Sequence, residues 1–281
     1  MSTRTRTYRL HRFFVSCALA FAMGAAGAQT ASEHTASKQA APEQATTEQA
    51  ATAYVAASER FTAKASASPD APLLKDPDTR ALLEALSDRR VLDARTFTTA
   101  DIPMLSDVCQ RATAAFMAYG MHNVRERLQA ETDPARIYTV MQQQMGMNFL
   151  LYEDEITVLM PFAIHCGARM MQVLDPFVAG LKPEEFTPVR QRGLEQARRG
   201  FQQMYIGMIT AGVNPANRLR LLQASAEDAA IYASTLRPNE RAEVATAARK
   251  ELAGAHESLQ PSLRAIADAM SSTDCTGLCL R

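Results

Sequence analysis

Methionine is the residue type whose number and spacing most suggest chemistry. Eleven of the fourteen methionines lie between Met104 and Met208, and six of these form pairs four residues apart: Met117/Met121, Met141/Met145 and Met204/Met208. This spacing puts two thioether sulfurs on one helix face, and thioethers bind Cu(I). His122 and His165 lie close to methionines in the sequence and would complete a copper-handling site.

Two other uses of methionine need no metal. Methionine fills irregular helical cores, and it also provides surfaces that adapt to several protein partners. We favour these interpretations because a soft-ligand site needs side chains from several helices to converge. The sequence therefore predicts neither a metal nor a cofactor.

A second set of residues would serve a hydrolase acting on cell-wall or lipid material. Its candidates are His165, Glu153, Glu155 and Arg169, which would have to converge in one cleft. Each has a structural interpretation as well. A buried histidine makes a hydrogen bond or pairs with a carboxylate, and acidic residues are stabilised where a helix begins. We favour the structural roles and keep the enzyme as the alternative.

Short motifs of several families are missing from the sequence. It has no C-x-x-C-H for haem, no H-E-x-x-H for zinc, no G-x-S-x-G elbow and no G-x-x-x-x-G-K-[ST] phosphate loop. No histidine follows a glutamate by three residues, as a di-iron bundle requires. Those particular families are therefore excluded.

Residues 1–28 have the order of a cleavable secretory signal. Four arginines precede an apolar run from Phe13 to Ala25, and Ala26-Gly27-Ala28 offers a small-residue cleavage site. The alternative is an uncleaved anchor, although the apolar run is shorter than the roughly 20 residues of a membrane span. We expect cleavage after Ala28 and a periplasmic or secreted protein. The later apolar stretch from Ile156 to Val178 contains charged residues and is expected inside the protein.

Four cysteines remain after the signal and its Cys17 are removed: Cys109, Cys166, Cys275 and Cys279. An even number in an oxidising compartment predicts two disulfides, and three pairings are possible. We favour Cys109 with Cys166, and Cys275 with Cys279 across a short turn that contains Gly277. A redox-active C-x-x-x-C site is the alternative for the second pair.

The charge balance argues against nucleic acid as a partner. The chain has 30 basic and 30 acidic residues, and removal of the four signal arginines leaves a net charge of −4. A mildly acidic exported protein has no electrostatic attraction to nucleic acid. The clustered arginines Arg190, Arg192, Arg198 and Arg199 are expected to form a solvated helix face, and the alternative is contact with lipid headgroups or acidic envelope polymers.

The elements that position these residues are predicted to be helices. Asp76-Pro77, Asp133-Pro134 and Asn214-Pro215 combine a capping residue with a first-turn proline. Strand and hairpin patterns are slight. These helix-start signals and the spacing of the apolar residues predict helices over 77–88, 100–128, 134–150, 153–179, 184–212, 215–235 and 238–271. Within 134–150, the predicted apolar stripe includes Ile137, Met141, Met145 and Leu150.

These elements predict an all-α fold with three segments. A signal covers 1–28, a flexible leader rich in Ala, Thr and Gln covers 29–72, and a helical domain with a disulfide-bearing tail covers 73–281. We expect an irregular antiparallel bundle of about six to seven helices.

The predicted function is that of an exported helical interaction protein of the bacterial cell envelope. It would engage another protein or an envelope component. The envelope hydrolase and the copper-handling protein are the alternatives, and the sequence leaves the partner and the oligomeric state open.

Overall fold

The computed structural model describes residues 42–93, 96–129, 131–272, 275 and 277–280. All regular structure within these ranges is helical, which confirms the predicted all-α class. The signal 1–28 and residues 29–41 of the predicted leader lie outside the described residues. The antiparallel bundle arrangement stays a prediction.

The first half of the described chain leads up to the longest helix. Its elements are α1 Pro42–Ala67, α2 Pro77–Leu86, α3 Arg90–Asp93, a 3₁₀ turn Thr99–Asp101, α4 Ile102–Gly120, α5 Val124–Gln129 and α6 Pro134–Leu151. The longest helix, α7, is Glu153–Ala179.

The second half packs around α7. Its elements are a 3₁₀ turn Pro183–Glu185, α8 Pro188–Ile209, α9 Pro215–Glu227, α10 Ala229–Thr235, α11 Pro238–Leu252, a 3₁₀ turn Glu257–Leu259, α12 Gln260–Ala269 and α13 Gly277–Leu280.

Proline begins several of these helices, as predicted. Pro77 and Pro215 stand first in α2 and α9, where the missing N–H costs no hydrogen bond. The residue before each supplies a cap: an Asp76 carboxylate oxygen accepts from the Asp78 N–H, and the Asn214 side-chain oxygen accepts from the Asn217 N–H.

Helix α7 is the centre of the fold. It packs against α4, α9, α10 and α13, and it is the one described helix long and apolar enough to cross a membrane. Within its apolar window, 78% is buried inside the protein, as in the core helix of a globular domain. Pro161 and Pro176 lie inside this helix.

The structure differs from the predicted flexible leader over residues 42–67. These residues form α1, and Tyr54 and Phe61 are buried. The Tyr54 ring stacks on Phe162 with centroids 4.9 Å apart, and Phe61 meets Tyr119 at 5.8 Å. Few apolar side chains are needed to hold α1 against the domain, because each of these two rings buries a large apolar area.

Three predicted helices are broken, so the described residues form more helices than the expected six or seven. The span 100–128 breaks at Asn123, whose φ of 54° is left-handed, and 215–235 breaks at Asp228. The span 238–271 breaks between Leu252 and Gln260, and 184–212 begins only at Pro188. Apolar periodicity continues across these breaks, so the sequence pattern conceals them.

Both favoured cysteine pairs lie at disulfide distance. The sulfur atoms are 2.00 Å apart for Cys109 and Cys166, which joins α4 to α7, and 2.01 Å apart for Cys275 and Cys279. Gly277 is expected to give the turn between Cys275 and Cys279 its backbone freedom, but the structure indicates a different role. A Cβ there would lie 2.3 Å from the Asp175 carbonyl oxygen, so glycine lets the C-terminal segment approach α7.

Candidate functional site

His165 lies at the centre of a group of charged side chains that we call the His165 cluster. Its members come from three separate parts of the chain: Arg89, Asp93, His165, Arg169, Glu227 and Asp228. His165 Nε2 is 2.7 Å from Asp93 Oδ1, and His165 Nδ1 is 3.0 Å from Asp228 Oδ2. His165 and Asp228 are buried, whereas the Asp93 side chain is 43% exposed. Both ring nitrogens therefore face carboxylates.

Arg89 covers the imidazole ring. Its Nη2 atom lies 3.0 Å from His165 Nδ1 and 3.2 Å from Nε2. An atom almost equally distant from both ring nitrogens cannot lie along both of their lone pairs, so Arg89 packs against the imidazole without a directed hydrogen bond to each nitrogen. Arg89 also donates to Glu227 and lies beside Asp93.

Arg169 closes the cluster one helical turn from His165. Its Nη2 atom is 3.3 Å from Asp93 Oδ1, and its Nη1 atom donates to Gln172 at 2.8 Å. Burial alone would raise the pKa of Asp93, but the hydrogen bond from His165 and the nearby guanidinium charges lower it overall. For Arg89, burial lowers the pKa, but the hydrogen bond to Glu227 together with the negative charges of Glu227, Asp93 and Asp228 raises it overall.

This arrangement holds elements together better than it transfers protons. A general base needs a ring nitrogen free to accept a substrate proton, and both nitrogens of His165 already face carboxylates. The carboxylates belong to the end of α3 and to the break between α9 and α10. The His165 cluster therefore ties these two regions to α7. Pairing with a carboxylate is one of the roles expected from the sequence.

The two glutamates proposed with His165 lie elsewhere. Glu153 Oε1 accepts from the Asn214 N–H at 2.7 Å, and Glu155 Oε1 accepts from the Leu74 N–H at 2.9 Å. Both stand at the start of α7, about 18 Å (Glu153) and about 15 Å (Glu155) along the helix from His165. They occupy the first turn, as expected, but their hydrogen bonds go to the loop at Leu74 and to the start of α9, and not to their own helix. The structure therefore does not assemble the four candidate catalytic residues.

The methionine pairs lie on different helices. Met117 and Met121 are at the end of α4, Met141 and Met145 are on α6, and Met204 and Met208 are on α8, which packs mainly against α9 and α11. Ser225 of α9 donates to the Met208 sulfur at 3.8 Å, and the His122 ring packs edge-on against Tyr152. The described residues contain no group of three or more His, Cys, Asp or Glu side chains suited to a metal ion.

An open groove of about 360 Å³ lies between α11 and the end of α12. Its lining consists of Pro238, Arg241, Ala242, Ala245, Arg249, Met270, Ser271 and Ser272. Arg241 donates to the Ala233 carbonyl oxygen at 3.2 Å, and Arg249 donates to Ser271 at 2.9 Å. The lining has no carboxylate or histidine, so it offers no acid–base pair.

Exposed apolar side chains are concentrated on α6. Among the large apolar residues most exposed to solvent are Ile137, Tyr138, Met147, Leu150 and Leu151. The expected stripe is wrong in part, because Met145 is buried whereas Ile137 and Leu150 are exposed. This helix is apolar on more than one side, and sequence periodicity alone could not decide which side faces the core.

One line of these side chains follows a regular spacing that we call the α6 seam. It consists of Ile137, Val140, Gln144, Met147 and Leu151, at alternating steps of three and four. Such steps place the side chains along one helix face. Ile137, Met147 and Leu151 are 40%, 52% and 70% exposed, and Val140 and Gln144 are half-buried. The sequence contains this signal, but periodicity by itself does not distinguish it from a core stripe.

Asp93, Asp228, Arg89 and Glu227 are functional candidates that the sequence does not single out. Arg89 and Asp93 are four residues apart, as are His165 and Arg169, and this spacing is the only sequence pattern that points to the cluster. Nothing in the sequence indicates that the two pairs meet.

No protein-family model, curated protein or solved structure matches the chain. A functional conclusion therefore depends on its own residues.

Proposed function

We propose that this protein is an exported helical interaction module of the cell envelope, which engages another protein through the apolar face of α6. The observation that carries the proposal is the exposure of Ile137, Met147 and Leu151 along one helix face. Contiguous exposed apolar surface is unfavourable in water unless a partner covers it. An amphipathic helix face is also a common recognition element.

The place of action follows from the cysteines and the signal. Two cysteine pairs at disulfide distance favour an oxidising compartment outside the cytoplasm. The signal pattern of residues 1–28 adds cleavage after Ala28 and a periplasmic or secreted location. The mass of the exported protein tests both points. Cleavage gives a chain that begins at Gln29, and two disulfides make it four hydrogens lighter than the reduced chain.

Two observations favour an interaction protein over the hydrolase. Glu153 accepts from the Asn214 N–H and the Asn217 side-chain amide, and Glu155 accepts from the Leu74 N–H. The two ring nitrogens of His165 face Asp93 and Asp228 of the same chain. The copper-handling alternative has less support, because Met204 and Met208 are buried on a helix apart from the other pairs.

Site-specific photo-crosslinking in the envelope of the producing cell tests the interaction. A photoreactive amino acid replaces Met147 in one variant and Thr139 in a control, because Thr139 is also exposed on α6 but lies away from the α6 seam. We expect the variant at position 147 to yield an adduct with a different protein, identified by mass spectrometry. The adduct should disappear when Leu151→Glu is added.

Two results would overturn the proposal. One is equal crosslinking from positions 147 and 139, since this would show no preference for the apolar face. The other is the absence of any adduct with a different protein, whether position 147 yields an adduct that contains only this chain or yields none.

A further inference from the structure

We infer that the α6 seam also pairs with the seam of a second copy of this chain, antiparallel, with Gln144 at the centre. This inference rests on the proposed function, because it names a partner for the same surface. Self-pairing would shield the apolar side chains until a stronger partner replaces the second copy.

The order of side chains along the α6 seam is the first argument. Relative to Gln144, the apolar residues stand at −7, −4, +3 and +7: Ile137, Val140, Met147 and Leu151. This order is nearly the same when read in either direction. A two-fold axis near Gln144 would therefore place Ile137 opposite Leu151, and Val140 opposite Met147. Contacts of this reciprocal kind are what a symmetric dimer interface requires.

The central residue is self-complementary. An amide side chain has two hydrogens to donate and an oxygen that accepts. Gln144 gives one hydrogen to Asn148 Oδ1 at 2.8 Å, so a second hydrogen and the oxygen can serve a partner. Two glutamines facing each other across a two-fold axis can exchange hydrogen bonds. A single polar residue in an apolar seam fixes register at some loss of affinity.

Charge supports the antiparallel direction. Arg136 is the only charged residue within the 18 residues of α6, so two copies of this helix do not repel each other strongly. Arg136 stands beside the first end of the α6 seam and is 67% exposed, although it also pairs with Glu131 at 3.5 Å. Glu153 and Asp154 directly follow the other end, where both accept hydrogen bonds from Asn217. Antiparallel pairing brings the basic end of one copy to the acidic end of the other, and it also opposes the two helix dipoles.

The size of the surface indicates a weak pair. An 18-residue helix is about 27 Å long and about 10 Å wide, which gives a footprint of roughly 270 Å² per copy. Stable interfaces bury about 800 Å² per partner. We therefore expect association only at high concentration, which leaves the α6 seam accessible to a competing partner.

Sedimentation velocity on the oxidised mature chain, from about 10 µM to about 1 mM, tests the inference. The average mass should rise from one copy towards two. Met147→Glu should remain monomeric over this range, whereas the control Thr139→Glu, on the same helix but away from the α6 seam, should associate like the unchanged protein. Gln144→Leu should strengthen the pair at least tenfold, a gain that misfolding could not produce without aggregation beyond two copies.

A mixing experiment tests the position of the axis. Gln144→Glu and Gln144→Lys should each remain monomeric, because like charges would meet at the centre, and an equal mixture should recover the dimer. A monomeric wild-type chain at every concentration, or a mixture that fails to pair, would overturn the inference. If the chain stays monomeric and position 147 still crosslinks to a different protein, the inference fails and the proposed function stands. If the chain forms the dimer and position 147 crosslinks only to this chain in the envelope, the inference stands and the proposed function fails.

Discussion

The His165 cluster and the α6 seam both depart from the usual distribution of side chains, in opposite directions. The cluster buries His165 and Asp228 beneath partly exposed charged side chains, and each ring nitrogen of His165 has a carboxylate within 3.0 Å. The seam exposes apolar groups such as Met147 and Leu151 on the outside of the molecule. Buried charge is costly unless it is paired, and the cluster meets this condition within the chain.

The two regions differ in where their contact partners come from. The side chains that contact His165 and one another are Asp93, Asp228, Arg89 and Glu227, and all are supplied by the same chain. Large exposed apolar surface is covered only by something outside the chain. The α6 seam is therefore where an interaction is expected, and the two regions should respond differently to substitution.

The largest effect is expected from the disulfide beside the cluster. Cys166 follows His165 and joins α7 to Cys109, 57 residues away in the sequence. Changing both to alanine should lower the free energy of unfolding by about 4 kcal/mol, since the unfolded chain loses a long closed loop. Cys275 and Cys279 are only 4 residues apart in the sequence, so loss of their disulfide should lower the free energy of unfolding by about 2 kcal/mol. Urea unfolding measures both, and equal losses would contradict this ranking.

The two carboxylate partners of His165, Asp228 and Asp93, should differ in their contribution to stability because only Asp228 is buried. Asp228→Ala removes a buried partner of His165 and should lower the free energy of unfolding by about 3 kcal/mol. Asp93→Ala removes a half-exposed partner, so its effect should be about 1 kcal/mol or less. Urea unfolding of both variants at neutral pH is the measurement. If Asp93→Ala is the more destabilising change, the buried contact between His165 and Asp228 is not the main stabilising interaction of the cluster.

Acid should weaken the cluster modestly. The folded protein lowers the pKa of Asp93, so this carboxylate contributes stability above its ordinary pKa of about 4 and loses it as the pH falls through the lower, folded value. The contribution should be below about 1 kcal/mol, because Asp93 is half-exposed. Urea unfolding at pH 7, 5 and 3 should show a smaller decrease for Asp93→Asn than for the unchanged protein.

Helix positions are the feature most predictable from the sequence. Helix α7 has the predicted bounds, and α6 ends one residue beyond its predicted end, because proline starts and apolar runs are local signals. The breaks at Asn123 and Asp228 are not predictable in this way. Asp228 interrupts a helix-compatible segment and bonds to His165, 63 residues earlier in the sequence.

The candidate sites depend on information the sequence does not carry. His165 and Arg169 can be identified as candidates, but the carboxylate partners of His165 lie 72 and 63 residues away from it. The exposed side of α6 depends on how that helix packs against α4 and α5. Met145 and Met147 are two residues apart with similar chemistry, and only the packing makes one buried and the other exposed.

These two methionines give the smallest expected effect on stability, together with its control. Met147→Glu should change the free energy of unfolding by less than about 0.5 kcal/mol, because the side chain already meets water, yet it should abolish association through the α6 seam. Met145→Glu would bury an unpaired charge and should destabilise the fold severely. Thermal unfolding followed by circular dichroism compares them. If Met147→Glu unfolds the protein as readily as Met145→Glu, the α6 seam belongs to the core and the contrast with the His165 cluster fails.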